Sequence, residues 1–259
     1  MITSTSNQQI KEVSRLMQKA RERKKDRLFV VEGFKMVKEA LDLGLVKKIY
    51  LSEELEEEET ERCNFLSAQE NVEWVKKEVF KSLSDTMTPQ GILAVVKMPE
   101  YTLSDLYGQQ NLLFLEDVRD PGNVGTMVRT AEGASFGGVI LSKESADLFN
   151  PKVVRSTMGS IFRMPYYYVE SVPETILQAK EHGFFIVGTH LRGEHNYTDV
   201  SYAGKTGIVI GNESRGMTGE SAAAVSTLVK IPMAGKVESL NASVAAAVMM
   251  YEVARQQKK

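Results

Sequence analysis

The chain has 259 residues, 42% hydrophobic and 25% charged, with a formal net charge of −2; this length exceeds one ordinary domain and points to two, each with enough apolar residues for a core. A lone cysteine, Cys63, excludes an intrachain disulfide and any multi-cysteine metal site, and no other metal-binding pattern is present. The opening residues lack a charged-then-apolar export pattern, and the longest apolar run, Val244 to Tyr251, is too short to span a bilayer; a soluble cytoplasmic protein is expected, in which Asn196-Tyr-Thr198 and Asn241-Ala-Ser243 carry no sugar.

The charge is unevenly spread. Residues 1 to 27 hold eight basic side chains against three acidic ones, whereas Glu53 to Glu61 holds seven glutamates and reads as a solvated face. The basic cluster, with Arg15, Lys19, Arg21, Arg23, Lys24 and Lys25 as its candidate contacts, could neutralise several phosphates and give salt-dependent binding. Within it Ile10, Val13, Leu16, Met17 and Ala20 recur at helical spacing. A strand at Leu28-Phe-Val-Val31 follows, then a helix from Gly33 to Leu43 stopped by Gly44. Strands at 46–51, 72–75 and 91–96, with helical stretches near 61–70 and 76–84, complete a small α/β unit. Met98-Pro-Glu-Tyr-Thr102 interrupts the pattern, which sets domain limits of 1–100 and 108–259.

From residue 112 strands and helices alternate, with strands expected at 112–115, 139–141, 184–188, 207–211 and 227–231 and a last helix over 242–256. Continuous apolar runs such as Ile208-Val-Ile210 suit strands covered on both faces, so the expected fold is α/β with a parallel sheet. Three polar loops follow strands: Asp117 to Asn123 after Leu115, Gly211-Asn-Glu213 after Ile210, and Pro232 to Leu240 after Ile231. Ligands of open parallel sheets bind beyond the carboxyl ends of the strands, where such loops present free backbone groups. Neither a P-loop nor a G-x-G-x-x-G fingerprint is present, since Asp199 stands where the first glycine before Gly204-Lys-Thr206 is needed.

The blocks Asn123-Val-Gly-Thr-Met-Val-Arg-Thr-Ala131, Gly211 to Gly216 and Ile231 to Ala245, in this order, resemble those of the SpoU (TrmH-type) branch of the SPOUT RNA 2′-O-ribose methyltransferases over about the last 150 residues. The resemblance implies a C-terminal SPOUT domain with a trefoil knot, preceded by an L30e-like substrate-binding domain that the motif Phe29-Val-Val-Glu-Gly33 also suggests. It implies S-adenosylmethionine held at Thr189, Gly211, Ile231 and Leu240, and a homodimer formed through the C-terminal domain. Arg129 is implied as the essential arginine, clamping an RNA phosphate, with Asn123, Glu213, Ser239 and Asn241 as orienting residues. Ribosomal RNA stands ahead of transfer RNA as the expected partner. Two rivals remain at this point: a non-catalytic RNA-binding protein, and a serine hydrolase with Ser214 on a nucleophile elbow, whose first position is Asn212 instead of glycine.

Overall fold

The computed structural model describes residues 1–55, 60–84, 86 and 88–258. It divides into two compact units, Met1–Pro99 with Asp147–Phe162 and Glu100–Ala146 with Arg163–Lys259. The chain passes between them at the expected interruption after Met98, and again on both sides of 147–162, a segment that the sequence pattern alone assigns to the second domain. The middle of the acidic run, residues 56 to 59, lies outside the described residues.

In the first unit α1 (Gln8–Gln18) buries Ile10, Val13 and Leu16, the apolar stripe read from the sequence, and Asn7 caps it by accepting from Gln9 N. The helix does not run on through Ala20: Lys19 adopts extended angles, and α2 (Ala20–Asp26) starts anew. Arg23 explains the break. Its guanidinium donates to Leu16 O at 2.6 Å and Met17 O at 3.1 Å, carbonyls that the end of α1 would otherwise leave bare. Next come β1 (Leu28–Glu32), α3 (Phe34–Asp42), β2 (Val46–Ser52), α4 (Thr60–Ser67), β3 (Val72–Val75), α5 (Lys77–Leu83) and β4 (Ile92–Lys97). The sheet order is β1-β4-β2-β3, with β4 antiparallel to both neighbours and β3 parallel to β2.

The second unit opens with α6 (Leu103–Tyr107), whose Thr102 and Asp105 form a reciprocal capping box, then β5 (Asn111–Leu115), α7 (Pro121–Gly133) and β6 (Gly138–Ser142). The chain then contributes α8 (Pro151–Thr157) and most of α9 (Ser160–Arg163) to the first unit, where Phe149 and Phe162 pack on Phe29 with ring centroids 4.7 and 6.0 Å away. Back in the second unit come β7 (Tyr166–Val169), α10 (Val172–Glu181), β8 (Phe185–Thr189), β9 (His195–Asn196), β10 (Thr206–Ile210), α11 (Gly219–Ala224), β11 (Thr227–Lys230) and α12 (Ala242–Gln257). Seven strands pair in the order β7-β6-β5-β10-β8-β11-β9, every pair parallel. β5, β6 and β10 are buried along their whole length, as their unbroken apolar runs require. Two strands lack a clear sequence signal: β7, which is written as three tyrosines and a valine, and the two-residue β9.

The strand order fixes where a ligand can enter. From β5 the chain steps outward through β6 and β7 in one direction, while β10, on the other side of β5, leads to β8 and β11. The loops leaving β5 and β10 therefore lie side by side at the reversal point, where ligands of open parallel sheets bind.

Candidate functional site

The loop after β5 is shaped by Asp117, which takes a left-handed φ of 56°, and closes on Asp120, the N-cap of α7. Asp120 accepts from Asn123 N at 2.8 Å, and Pro121 opens the helix. The capping role thus belongs to Asp120 and not to Asn123. That frees the Asn123 side chain, which is buried.

Asn123 joins the other two blocks. Its Nδ2 donates to Glu213 Oε1 at 3.1 Å, and its Oδ1 accepts from Asn241 Nδ2 at 3.0 Å. Asn241 Oδ1 in turn accepts from Ser243 N at 2.8 Å and Ser243 Oγ at 2.7 Å, capping α12. Three segments far apart in the chain meet in one polar relay, Glu213–Asn123–Asn241. Glu213 also accepts from the backbone N–H of Asp120 at 3.0 Å and of Arg119 at 3.3 Å. Partial burial pushes its carboxyl up, but the Asn123 amide and the backbone donors outweigh that and hold it below the ordinary carboxylate range.

The loop after β10 is tied down from both ends. Asn212 Nδ2 donates to Asp117 O at 2.8 Å, and Asn212 Oδ1 accepts from Ser214 N and Arg215 N. At its exit Thr218 N and Oγ1, with Ser221 Oγ, donate to the buried carboxylate of Glu116 at 2.9, 2.8 and 2.6 Å. A side chain at Gly211 would run into the backbone of Gly216 and Met217, so glycine is required for the loop to fold back on itself. Asp120, Asn212 and Glu116 are the positioning residues that sequence reasoning missed. The Asp-Pro pair before an apolar helix is an N-cap signal that marks the first of them; nothing local marks Glu116.

Of the residues expected at a cofactor, Gly211 is buried and Thr189, Ile231 and Leu240 are half-buried, each at or just beyond a carboxyl end of β10, β8 or β11 except Leu240, which ends the third loop. Thr189 Oγ1 donates to Val209 O at 3.3 Å, bracing neighbouring strand ends. Among the described residues, no hydrogen bond within the chain engages the backbone of 232–240, leaving its amides and carbonyls available to a ligand. Half-buried apolar side chains beside such a backbone suit a flat heterocycle recognised through main-chain groups. Ser239 is exposed and stands outside the relay. Arg129, two turns along α7, is also exposed. Glu132, one turn further along α7, is paired with Arg163, whose Nε lies 3.0 Å from its carboxylate. Arg119 and Arg215 add exposed cations to the same loops, Arg215 lying 3.9 Å from Asp117.

The basic cluster of the first unit divides. Arg15, Lys19, Arg21, Lys24 and Lys25 are exposed, but Arg23 is 2% exposed and bound to Asp147 Oδ2 at 2.6 Å through Nη2 and 2.9 Å through Nε. Arg23 is therefore a structural residue and not an RNA contact, because its donors are consumed by Asp147 and the end of α1. The hydrolase alternative finds no support in the geometry: among the described residues no hydrogen bond joins Ser214 to His182, His190 or His195. No described helix is long and apolar enough to cross a membrane.

Residues 110–251 match the model of the SpoU rRNA Methylase family, and residues 7–94 that of the MRM3-like substrate binding domain. The chain is 34% identical to the Bacillus subtilis (strain 168) protein named 23S rRNA (guanosine(2553)-2′-O)-methyltransferase RlmP, over 97% of this chain and 98% of that one. An rRNA methyltransferase from Sinorhizobium meliloti superimposes with a TM-score of 0.87 at 31% identity, covering 100% of this chain and 98% of its own, and its AdoMet-bound form superimposes at 0.86 with the same identity and coverage. The SpoU methyltransferase AviRb from Streptomyces viridochromogenes, in complex with AdoMet, superimposes at 0.84 with 27% identity over 96% of this chain and 98% of that one.

Proposed function

The chain belongs to the SpoU rRNA methylase family, and from that premise we propose how its residues carry out an S-adenosylmethionine-dependent methylation of a ribose 2′-hydroxyl in ribosomal RNA. The observation that carries the reading is the Glu213–Asn123–Asn241 relay, which holds all three loops at the strand-order reversal in one arrangement. S-adenosylmethionine supplies an electrophilic sulfonium methyl. Backbone groups around Gly211, Ile231 and Leu240, with Thr189 beside them, would hold its adenine.

The protein's own task is to bring a hydroxyl in line with that methyl and keep it there. Arg129 grips the phosphate next to the target ribose through its planar, permanently charged fork. As the new O–CH3 bond forms and the donor's S–CH3 bond breaks, the 2′-hydroxyl proton passes to that phosphate or to the gripping arginine in a strongly perturbed state. Asn123, Glu213 and Asn241 fix the loops between which the sugar is seated, and Ser239 in the exposed third loop orients the substrate from the other side. The first unit grips folded RNA through Arg15, Lys19, Arg21, Lys24 and Lys25.

The family resemblance further supports a trefoil-knotted second unit that works as a homodimer; Val244 and Tyr251, 47% and 55% exposed on α12, are the apolar residues such an interface would cover. An RNA partner in turn supports a cytoplasmic location. Calorimetric titration with S-adenosylmethionine, followed by mapping of ribose methylation in total RNA with and without the gene, tests the function. Heat of binding and the loss of one 23S methyl mark are expected. No cofactor uptake overturns it.

A further inference from the structure

The first unit contains a cleft of about 210 Å³ that the methyl-transfer reading does not use. Its walls come from five places in the chain: the end of α1, β1, the start of α3, the segment around Thr88, and α8 with the residue that follows it. All belong to the same compact unit. Val30, Met36 and Val154 are buried and Met17 half-buried, forming an apolar interior, while Met158 is 49% exposed at the rim.

Polar groups stand at chosen points. The Glu32 carboxylate accepts from Ser84 Oγ at 2.8 Å and Thr86 Oγ1 at 2.9 Å. Two carboxylate oxygens offer about four lone-pair sites, so these hydroxyls orient the group without exhausting it. Gln90 is exposed at the mouth with its Oε1 beside Gly33, where a φ of 94° requires glycine. Lys35 of α3 and Arg155 of α8 are exposed cations that line the cleft, and Lys19 follows Met17 by two residues. The Phe29 to Gly33 motif thus builds one side of the cleft: Glu32 supplies the acceptor and Gly33 the turn.

A greasy slot with a carboxylate inside and an amide and cations at its lip matches one ligand class. Roughly 300 Å³ is where clefts for drug-sized ligands begin, so this smaller space suits a single flat ring system. Its interior excludes a bare phosphate, and its lip attracts one. A single-stranded nucleotide has both halves, a ring to stack on methionine and aliphatic side chains and a phosphate for the cations. We propose that this cleft receives one unstacked nucleotide of the RNA substrate, a base carrying an amino N–H that donates to Glu32, with its phosphate held by Lys35 and Arg155. Guanine, adenine and cytosine meet that requirement, and uracil, with no amino group, does not. The inference rests on the proposed RNA substrate and deepens it, because it gives the first unit a base-reading site in addition to backbone charge.

The test uses the full chain with its methionine methyls labelled with carbon-13, titrated in turn with GMP, AMP, CMP and UMP at millimolar concentration. The Met17, Met36 and Met158 methyl resonances should move with GMP, AMP and CMP and less with UMP, and lose that response in Glu32→Gln. In methylation assays Gln90→Ala and Lys35→Ala should each raise KM for RNA by about tenfold, the scale of one stacked, anchored base, with the affinity for S-adenosylmethionine at the parental value. Still methionine methyls, an equal response to all four nucleotides, or an unchanged KM in both variants each overturns the cleft's role while cofactor binding and methyl transfer stand. A parental protein that takes up no S-adenosylmethionine strikes the proposed function instead, so the two failures are distinguishable. Glu32→Gln preserves shape, and a parental melting temperature establishes that it folds.

Discussion

Asn123 and Asn241, 118 residues apart, share a 3.0 Å hydrogen bond in which Asn241 donates and Asn123 accepts. The same Asn241 side chain caps α12 through its oxygen, so capping and site geometry reside in one amide. They can be separated. Asn241→Ala removes both and should cost about 1 kcal/mol of stability, the usual worth of a cap. Asn241→Asp keeps the capping oxygen but turns an acceptor toward Asn123 Oδ1, which cannot rotate away without presenting its own oxygen to Glu213. Asp at this position should therefore keep nearly all of the thermal stability and still lose turnover. Equal turnover in Asn241→Asp and the parent would reduce the relay to a cap.

Arg129 is exposed on α7, and Glu132, a turn further on, is held by Arg163. Arg129→Ala should therefore leave the melting temperature within the range of ordinary surface changes, about 0.5 kcal/mol. Turnover on cognate RNA should fall about a hundredfold or more, the scale of a misplaced reactant, with S-adenosylmethionine affinity retained. Unchanged turnover ends the phosphate-clamp role.

Arg23 and its neighbours Lys24 and Lys25 should respond in opposite ways to the same substitution. Arg23→Ala leaves Asp147 and two carbonyls without their donors, and breaking such a buried pair costs about 3–5 kcal/mol. Lys24→Ala or Lys25→Ala should leave stability in place and lower RNA affinity, with the slope of log affinity against log salt flattening by roughly 0.7–0.9 for each phosphate no longer neutralised. Chemical denaturation and RNA titrations at several salt concentrations separate the two. A parental melting curve for Arg23→Ala would return Arg23 to the surface cluster.

The sequence told strand from helix well where its period was clean. The stripe Ile10, Val13, Leu16 became the buried face of α1, and the apolar runs at 112–115 and 207–210 became wholly buried parallel strands. Arg23 shows where local reading stops: a cation in a basic run looks solvated unless its partner, 124 residues away, is known. The segment 147–162 is opaque for the same reason, since its Phe149 finds Phe29 only through long-range packing. Within the site, the polar residues of the three blocks were legible as types in loops after strands. That Asn123, Glu213 and Asn241 bond to one another while Ser239 and Arg129 stand outside the relay depends on strand order, which no local pattern encodes.

Glu213 supplies the pH prediction. Burial alone would raise its carboxyl, but the Asn123 amide and the Asp120 and Arg119 backbone donors favour the charged form and lower it overall. With the folded value below the unfolded one, the stabilising contribution is complete above the unfolded pKa, about 4.3 for glutamate, and is lost as pH falls through the folded value. Glu213 therefore remains an acceptor throughout the neutral range, and methyl transfer should show no acidic limb from it above about pH 5. Glu213→Gln replaces two acceptor oxygens by one acceptor and one donor group, which sets its amide N–H against the donors of Asn123 or of the α7 entry loop. Lower turnover that does not recover at any pH is expected. An acidic limb in the parent near neutral pH that vanishes in Glu213→Gln would instead mean that this carboxyl exchanges protons during the reaction, and its positioning role would be wrong.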